Sequence, residues 1–241
     1  MAPSTLLFDI ETVGLPLESF DEAQQEYWLR PAQRESTEEA RAAKRQDLIQ
    51  QLNLTPLTAQ VVAIAMVNVD SGRGKVLYQA EDLEESKSED GLVEFISGTE
   101  EDVLSGFWEV VTKYNRFVTF NGRGFDCPFL MLRSAILGIK PTKDLMPYRY
   151  DAVKHCDLAD QLTYYGAFSQ RRFNLDFYCK AFGIESPKAG GVTGLDVNRL
   201  FAEKKFRDIA EYCLRDVRST AELYKKWREL LSFEQCPPPG R

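Results

Sequence analysis

Apolar and polar positions alternate from the start of the chain. In TLLFDIE, Leu6, Phe8 and Ile10 fall on one side of an extended backbone and Leu7, Asp9 and Glu11 on the other, which predicts a first strand. Residues 19–52 lack that alternation. They are rich in Glu, Gln, Ala and Arg and predict two largely solvated helices, the second capped by Ser36 or Thr37, inserted between the first and second strands. QVVAIAMVNVD then reads as a buried strand, SGRG as a turn and KVLYQA as its hairpin partner. The acidic run 81–91 reads as loop. TEEDVLSGFWEVVTKY has helical spacing and a capping pattern from Thr99 to Asp102. FVTFNG predicts another strand. DCPFLMLRSAILGI predicts a helix with Asp126 as N-cap, Pro128 in the first turn and Gly138 at its end. YDAVKHCDL holds one more short strand. The remainder is helical apart from a loop at 186–194, and its last helix, over 204–231, carries the stripe Phe206, Ile209, Cys213, Val217, Tyr224, Leu231. Residues 233–241 read as a flexible tail. There is no internal repeat, and the order of elements predicts a single α/β domain over residues 1–241 with a mixed sheet flanked by helices.

Composition narrows the function classes. With 44% hydrophobic and 28% charged residues, the 241-residue chain can bury a substantial core. A net charge of −7 argues against tight, nonspecific duplex binding, which depends on many cation–phosphate contacts. It leaves room for an enzyme that holds a few nucleotides. The N-terminus shows no secretory pattern, and no apolar run is long enough to cross a membrane. Five scattered cysteines without C-x-x-C read as reduced thiols of a cytoplasmic protein rather than as a disulfide frame or zinc site.

Candidate chemistry lies in three acidic elements. Residues i and i+2 of a strand project to the same side, roughly 6–7 Å apart, so Asp9 and Glu11 point together. Paired carboxylates repel unless a hard cation compensates them; the alternative is a solvent-facing pair at a strand end. In TFNGRGFD, Asp126 can cap a helix, ligate, or do both with different oxygens, and Asn121 and the open glycine backbone can meet a ligand. In EYCLRDVRSTAELY, Tyr212 and Asp216 share a helix face at i, i+4. Their plainer reading is a packed tyrosine and an aspartate paired with a neighbouring arginine.

Taken in order, D-x-E on a first strand, N-G-x-x-F-D entering a helix and Y-x-x-x-D on a late helix resemble the DEDD superfamily of 3′→5′ exonucleases, tyrosine branch. FDIET, FVTFNGRGFDCPFL and IAEYCLRDVRSTAELY resemble most the stand-alone exonucleases related to the proofreading domain of family B DNA polymerases, over residues 5–231. The resemblance implies a ribonuclease H-like fold with a central five-stranded mixed sheet. It implies that Asp9, Glu11, Asp126 and Asp216 bind two Mg²⁺ or Mn²⁺ ions and that Tyr212 orients the attacking water. Asn121 and Phe125 would line the pocket for the 3′-terminal nucleotide, and Thr12 would set its backbone beside the terminal sugar. The implied substrate is nucleic acid with a free 3′ end, single-stranded and DNA by preference, cut to nucleoside 5′-monophosphates. Rival readings are an exoribonuclease, an inactive nucleic-acid-binding or scaffold module, and a glycoside hydrolase using Asp9 and Glu11 without metal.

Two further features compete or add. The sister branch uses His and an Asp five residues on, and His155-x-x-x-x-Asp160 matches that spacing. However, it follows Asp126 too closely and lacks helical periodicity before it, so His155 reads as a residue near a strand end, with Asp157 or Asp160 as a site-lining acid or a cap. In the loop SPKAGGVTG, Lys188 is a candidate phosphate contact that Arg171 or Arg172 would extend; Arg123, inside the second acidic element, is another.

Overall fold

The computed structural model describes residues 4–167, 173–186, 191 and 193–233. The first strand, β1, spans Thr5–Gly14. Helices α1 (Glu22–Gln33) and α2 (Glu38–Gln50) separate it from β2 (Ala59–Asn68). β3 (Gly74–Gln79) returns against β2 as the expected hairpin, followed by β4 (Glu85–Lys87) and β5 (Val93–Gly98). Helix α3 (Glu100–Val111), β6 (Arg116–Thr119), α4 (Asp126–Ile136) and β7 (His155–Asp157) come next. Helices α5 (Leu158–Leu162), α6 (Leu175–Ala181), α7 (Val197–Ala202) and α8 (Phe206–Leu230) complete the described chain.

The strands form one sheet in the order β4-β5-β3-β2-β1-β6-β7. It is mixed: β2 is antiparallel to β1 and β3, whereas β1/β6, β6/β7 and β3/β5 run parallel. Seven strands replace the five expected. The acidic run read as loop contains β4, whose three residues are all exposed, and β5 then inserts between β4 and β3. A short edge strand buries no face and has no apolar alternation to display.

Each face of the sheet carries its own apolar layer. Leu6, Phe8, Ile10, Ile64 and Met66 pack with α3 and α4; Leu7, Ala63, Ala65 and Val76 pack with the stripe of α8. Several helix starts are fixed by side-chain caps. The Thr99 side chain accepts from the Asp102 N–H in a reciprocal box, and Thr37 accepts from the Ala40 N–H. Between α1 and α2, Trp28 Nε1 donates to Leu48 O at 2.9 Å, but few side chains of this pair are buried. A buried ion pair ties α3 to α4: Arg133 donates through Nε and Nη2 to both oxygens of Glu100, each at 2.8 Å. The four described cysteines are free and buried. Among the described residues no helix is long and apolar enough to cross a membrane.

Candidate active site

β1 is the spine of the site. Asp9 and Glu11 lie on the face that α8 covers, opposite Ala65 and Ala63 of β2, whose small side chains leave room above them. The register slips by one between Glu11 and Thr12, a bulge that breaks the regular ladder beside the two acids.

β1 also outlasts its other neighbour, because pairing with β6 stops at Leu7 and Val118. The chain leaving β6 turns sharply. Asn121 adopts a left-handed φ of 62°, and Asp157 holds the turn by accepting the N–H groups of Asn121 (2.9 Å) and Arg123 (2.8 Å) while capping α5 through the Ala159 N–H. Gly122 is pressed against β6, where a Cβ would lie 2.5 Å from the Thr119 side chain. The turn delivers Asp126 into the space past β6. Asp126 does not cap α4, although its place in the sequence suggests that it should. Phe125 holds the cap position, and Asp126 Oδ1 accepts the Ile10 N–H of β1 at 3.0 Å. Gly122→Ala should therefore displace Asp126 and lower any activity of this site by about a hundredfold, with a smaller loss of stability, as thermal melting and turnover measured together will show.

α8 supplies the third part. Cys213 Sγ donates to Asp9 O at 3.4 Å and docks the helix on β1. One turn of helix places Tyr212 and Asp216 together, and the tyrosine hydroxyl hydrogen-bonds to the aspartate. The five side chains from three remote segments thus meet. Asp9 and Asp126 share a hydrogen bond, and donor atoms of Asp9, Glu11 and Cys213 lie within 4.8 Å of one another.

The electrostatics are those of unneutralised acids. Burial, then Asp126, Asp216 and Glu11, push the Asp9 carboxyl well above the usual carboxylate range. Burial, then Asp216 and Asp126, do the same to Glu11. Burial raises Asp126 to about 7, even though hydrogen bonds to its carboxylate oppose the shift. The Tyr212 hydroxyl is raised by burial and then by Glu11 and Asp216, so it keeps its proton. Such a set of oxygen donors, lacking a compensating cationic side chain among the groups that act most on Asp9 and Glu11, suits a hard divalent cation.

A cavity of about 450 Å³ opens over Asp9 and Asp126, with Asn121, Phe125 and Asp160 in its wall. Thr12 follows Glu11 but is buried, its hydroxyl donating to Asn53 O at 2.8 Å. Arg123 stands outside the cavity lining, and its Nη2 donates to Pro147 O at 2.7 Å. Lys188, Arg171 and Arg172 lie outside the described residues. His155 is buried on β7 between Thr119 Oγ1 (2.9 Å) and Leu145 O (3.1 Å), and burial lowers it to about 4, so it is neutral. The sequence reading missed Arg149 and Tyr165 in the cavity wall. The tyrosines flanking Arg149 in MPYRYD were its only local signal.

Comparison with known proteins gives this geometry a context. The family described as "Predicted 3'-5' exonuclease related to the exonuclease domain of PolB" matches residues 53–232, beginning after β1, α1 and α2. DNA polymerase 1 of Saccharolobus solfataricus is 24% identical over 178 residues, and DNA polymerase 1 of Sulfolobus acidocaldarius 25% over 179, each covering 68% of this chain. The chain spans only 19% of the length of either relative. The family B DNA polymerase structure from Pyrobaculum calidifontis superposes on 94% of this chain and 25% of its own, with a TM-score of 0.58 at 21% identity. That likeness shows the fold, a ribonuclease H-like mixed sheet with flanking helices. Matched over some three quarters of its length, the chain belongs to the family of predicted 3'-5' exonucleases related to the exonuclease domain of PolB.

Proposed function

We propose that this chain is a metal-dependent 3′→5′ exonuclease of the tyrosine branch, one catalytic domain with the α1–α2 pair inserted, that shortens single-stranded nucleic acid and releases nucleoside 5′-monophosphates. The observation that carries the reading is the meeting of Asp9, Glu11, Asp126, Tyr212 and Asp216, with Asp9 and Asp126 of the set lining one cavity. Family membership supports the reaction class, and relatives that are DNA polymerases support DNA as substrate. Four free, buried cysteines accord with a reducing, cytoplasmic setting.

In this reading Asp9, Glu11, Asp126 and Asp216 hold two Mg²⁺ or Mn²⁺ ions. When bound, these ions offset charge at the scissile phosphate and lower the pKa of the attacking water. The protein's own groups do the positioning. Tyr212, fixed by Asp216, orients the water for attack on phosphorus opposite the 3′-oxygen, which leaves with the shortened strand. Asn121 and Phe125, both in the cavity wall, seat the terminal nucleotide, and the backbone at Thr12, outside that wall, would sit against its sugar. Arg123 and Lys188 are the phosphate contacts of the same reading; Arg123 would have to leave Pro147 to reach one.

The decisive experiment incubates 5′-labelled single-stranded DNA and RNA side by side with Mg²⁺, with Mn²⁺ and with chelator. Progressive loss from the 3′ end, release of 5′-monophosphates and silence in chelator are expected. Intact strands under both metals would sink the proposal, and faster loss of RNA would overturn the DNA preference alone. Tyr212→Phe should slow turnover about ten- to hundredfold while the thermal shift on adding Mn²⁺ persists; an unchanged rate removes the water-orienting role.

A further inference from the structure

One wall of the cavity continues outward as an aromatic track that the proposed chemistry leaves without a role. Tyr165 lines the cavity together with Asp9 and Asp126. Its ring centroid lies 4.6 Å from that of Tyr150, which lies 5.6 Å from that of Tyr148. The two outer rings are 58% and 74% exposed for Tyr150 and Tyr148 respectively. Three tyrosines in successive contact that run from a polar cavity into solvent are not the isolated surface apolar residues that need no explanation.

The backbone beneath is costly. Tyr164 and Tyr165 both have left-handed φ values, 49° and 57°. Bulky side chains rarely adopt this region, and such strain persists where the surroundings impose it. Here it turns the Tyr165 ring to the cavity, where Gln161 Nε2 donates to its hydroxyl at 2.7 Å. Arg149, between Tyr148 and Tyr150, also lines the cavity. It pairs with Asp160 at 2.7 Å while half of its side chain faces solvent, leaving donors free to meet a phosphate.

We infer that Tyr148, Tyr150 and Tyr165 form a stacking track, with Arg149 as its phosphate contact, for the unpaired nucleotides that follow the terminal one. The inference rests on the proposed nuclease reading and specifies its substrate as a flexible single strand several nucleotides long. Every base offers a π-face, so the track tolerates any sequence, whereas a paired base has no free face to offer. Stacking adds affinity that does not depend on counterion release, which suits a chain of net charge −7.

The test uses the full chain with Ca²⁺ in place of Mg²⁺ and a fluorescein-labelled twelve-nucleotide oligothymidylate carrying 2-aminopurine third from its 3′ end. Anisotropy reports binding, and quenching of the aminopurine reports stacking. The double variant Tyr148→Ala/Tyr150→Ala should bind about tenfold or more weakly and lose the quenching. Tyr148→Phe/Tyr150→Phe should keep both, since the rings remain. Thermal melting checks that each variant folds. Equal affinity and equal quenching in the alanine variant overturn the track, as does a wild-type chain that leaves the aminopurine unquenched. Nucleotide release from a dinucleotide by the wild-type chain under Mn²⁺ judges the nuclease reading separately, because a dinucleotide does not extend to the outer rings.

Discussion

Asp126→Asn will abolish nucleotide release and raise the melting temperature of the metal-free protein. Asp126 is 4% exposed, hydrogen-bonds to Asp9, and is held at about 7 by burial. Its amide replacement keeps an oxygen to accept the Ile10 N–H and removes one of the mutually repelling charges. In the proposed reading Asp126 is one of the carboxylates that would hold metal, so its loss should cost about a thousandfold or more in rate, the equivalent of several kcal/mol of transition-state stabilisation.

The stability change has the opposite sign. An acid whose folded pKa is raised keeps its proton in the native state after the unfolded chain has lost it. The native state then binds more protons, and stability falls as pH rises. For Asp126 the fall runs from the ordinary value of 3.8 up to about 7. At neutral pH without metal the substitution should therefore gain on the order of 5 °C. The wild-type chain should lose stability between those pH values in chelator and regain it with Mn²⁺, while the variant changes less in both tests. Melting curves with and without chelator, beside an end-labelled cleavage assay, give all the readouts. A variant that melts below the wild-type chain in chelator would show that the acid is not held against its electrostatic preference.

Glu100→Ala should be the most destabilising single change that leaves the candidate site untouched. It strands Arg133 as a buried, unpaired charge and removes the acceptor of the Val61 N–H of β2, which Glu100 Oε1 receives at 2.8 Å. Removing one partner of such a pair costs about 3–5 kcal/mol, or about 10 °C in a chain of this size. The exposed pair Glu38–Arg41, at 3.5 Å, provides the comparison: Glu38→Ala should change stability by less than about 0.5 kcal/mol. Urea unfolding followed by tryptophan fluorescence separates the two. A loss below about 1 kcal/mol for Glu100→Ala would mean that water reaches Arg133.

Much of the fold is legible in the order of residues. β1, β2 and β3 declare themselves through alternation and the SGRG turn, α3 through its capping box, and α8 through its stripe. The candidate chemistry is legible as residue types at helical and strand spacings. The misses have different causes. β4 is three exposed residues with no pattern of their own, whereas β5 does alternate, with Val93 and Phe95 buried between half-buried Glu94 and Ile96, a local cue that the sequence reading passed over. Asp126 reads locally as a cap, and only the early end of β6 gives it Ile10 as a partner instead. Nothing near Arg123 in sequence indicates that it turns to Pro147, and the tyrosines flanking Arg149 do not tell that it faces the cavity.

By itself, then, the sequence determined most of the strands and helices and which side chains carry acid, hydroxyl and ring chemistry, because those properties are written in local backbone periodicity and composition. Only the tertiary structure decided the order of the strands, the meeting of the five side chains and the aromatic wall beside Asp9 and Asp126. The meeting of the acids depends on contacts between residues more than a hundred positions apart, such as Ile10 with Asp126 and Asp9 with Cys213, and long-range closure leaves no periodic trace in either partner.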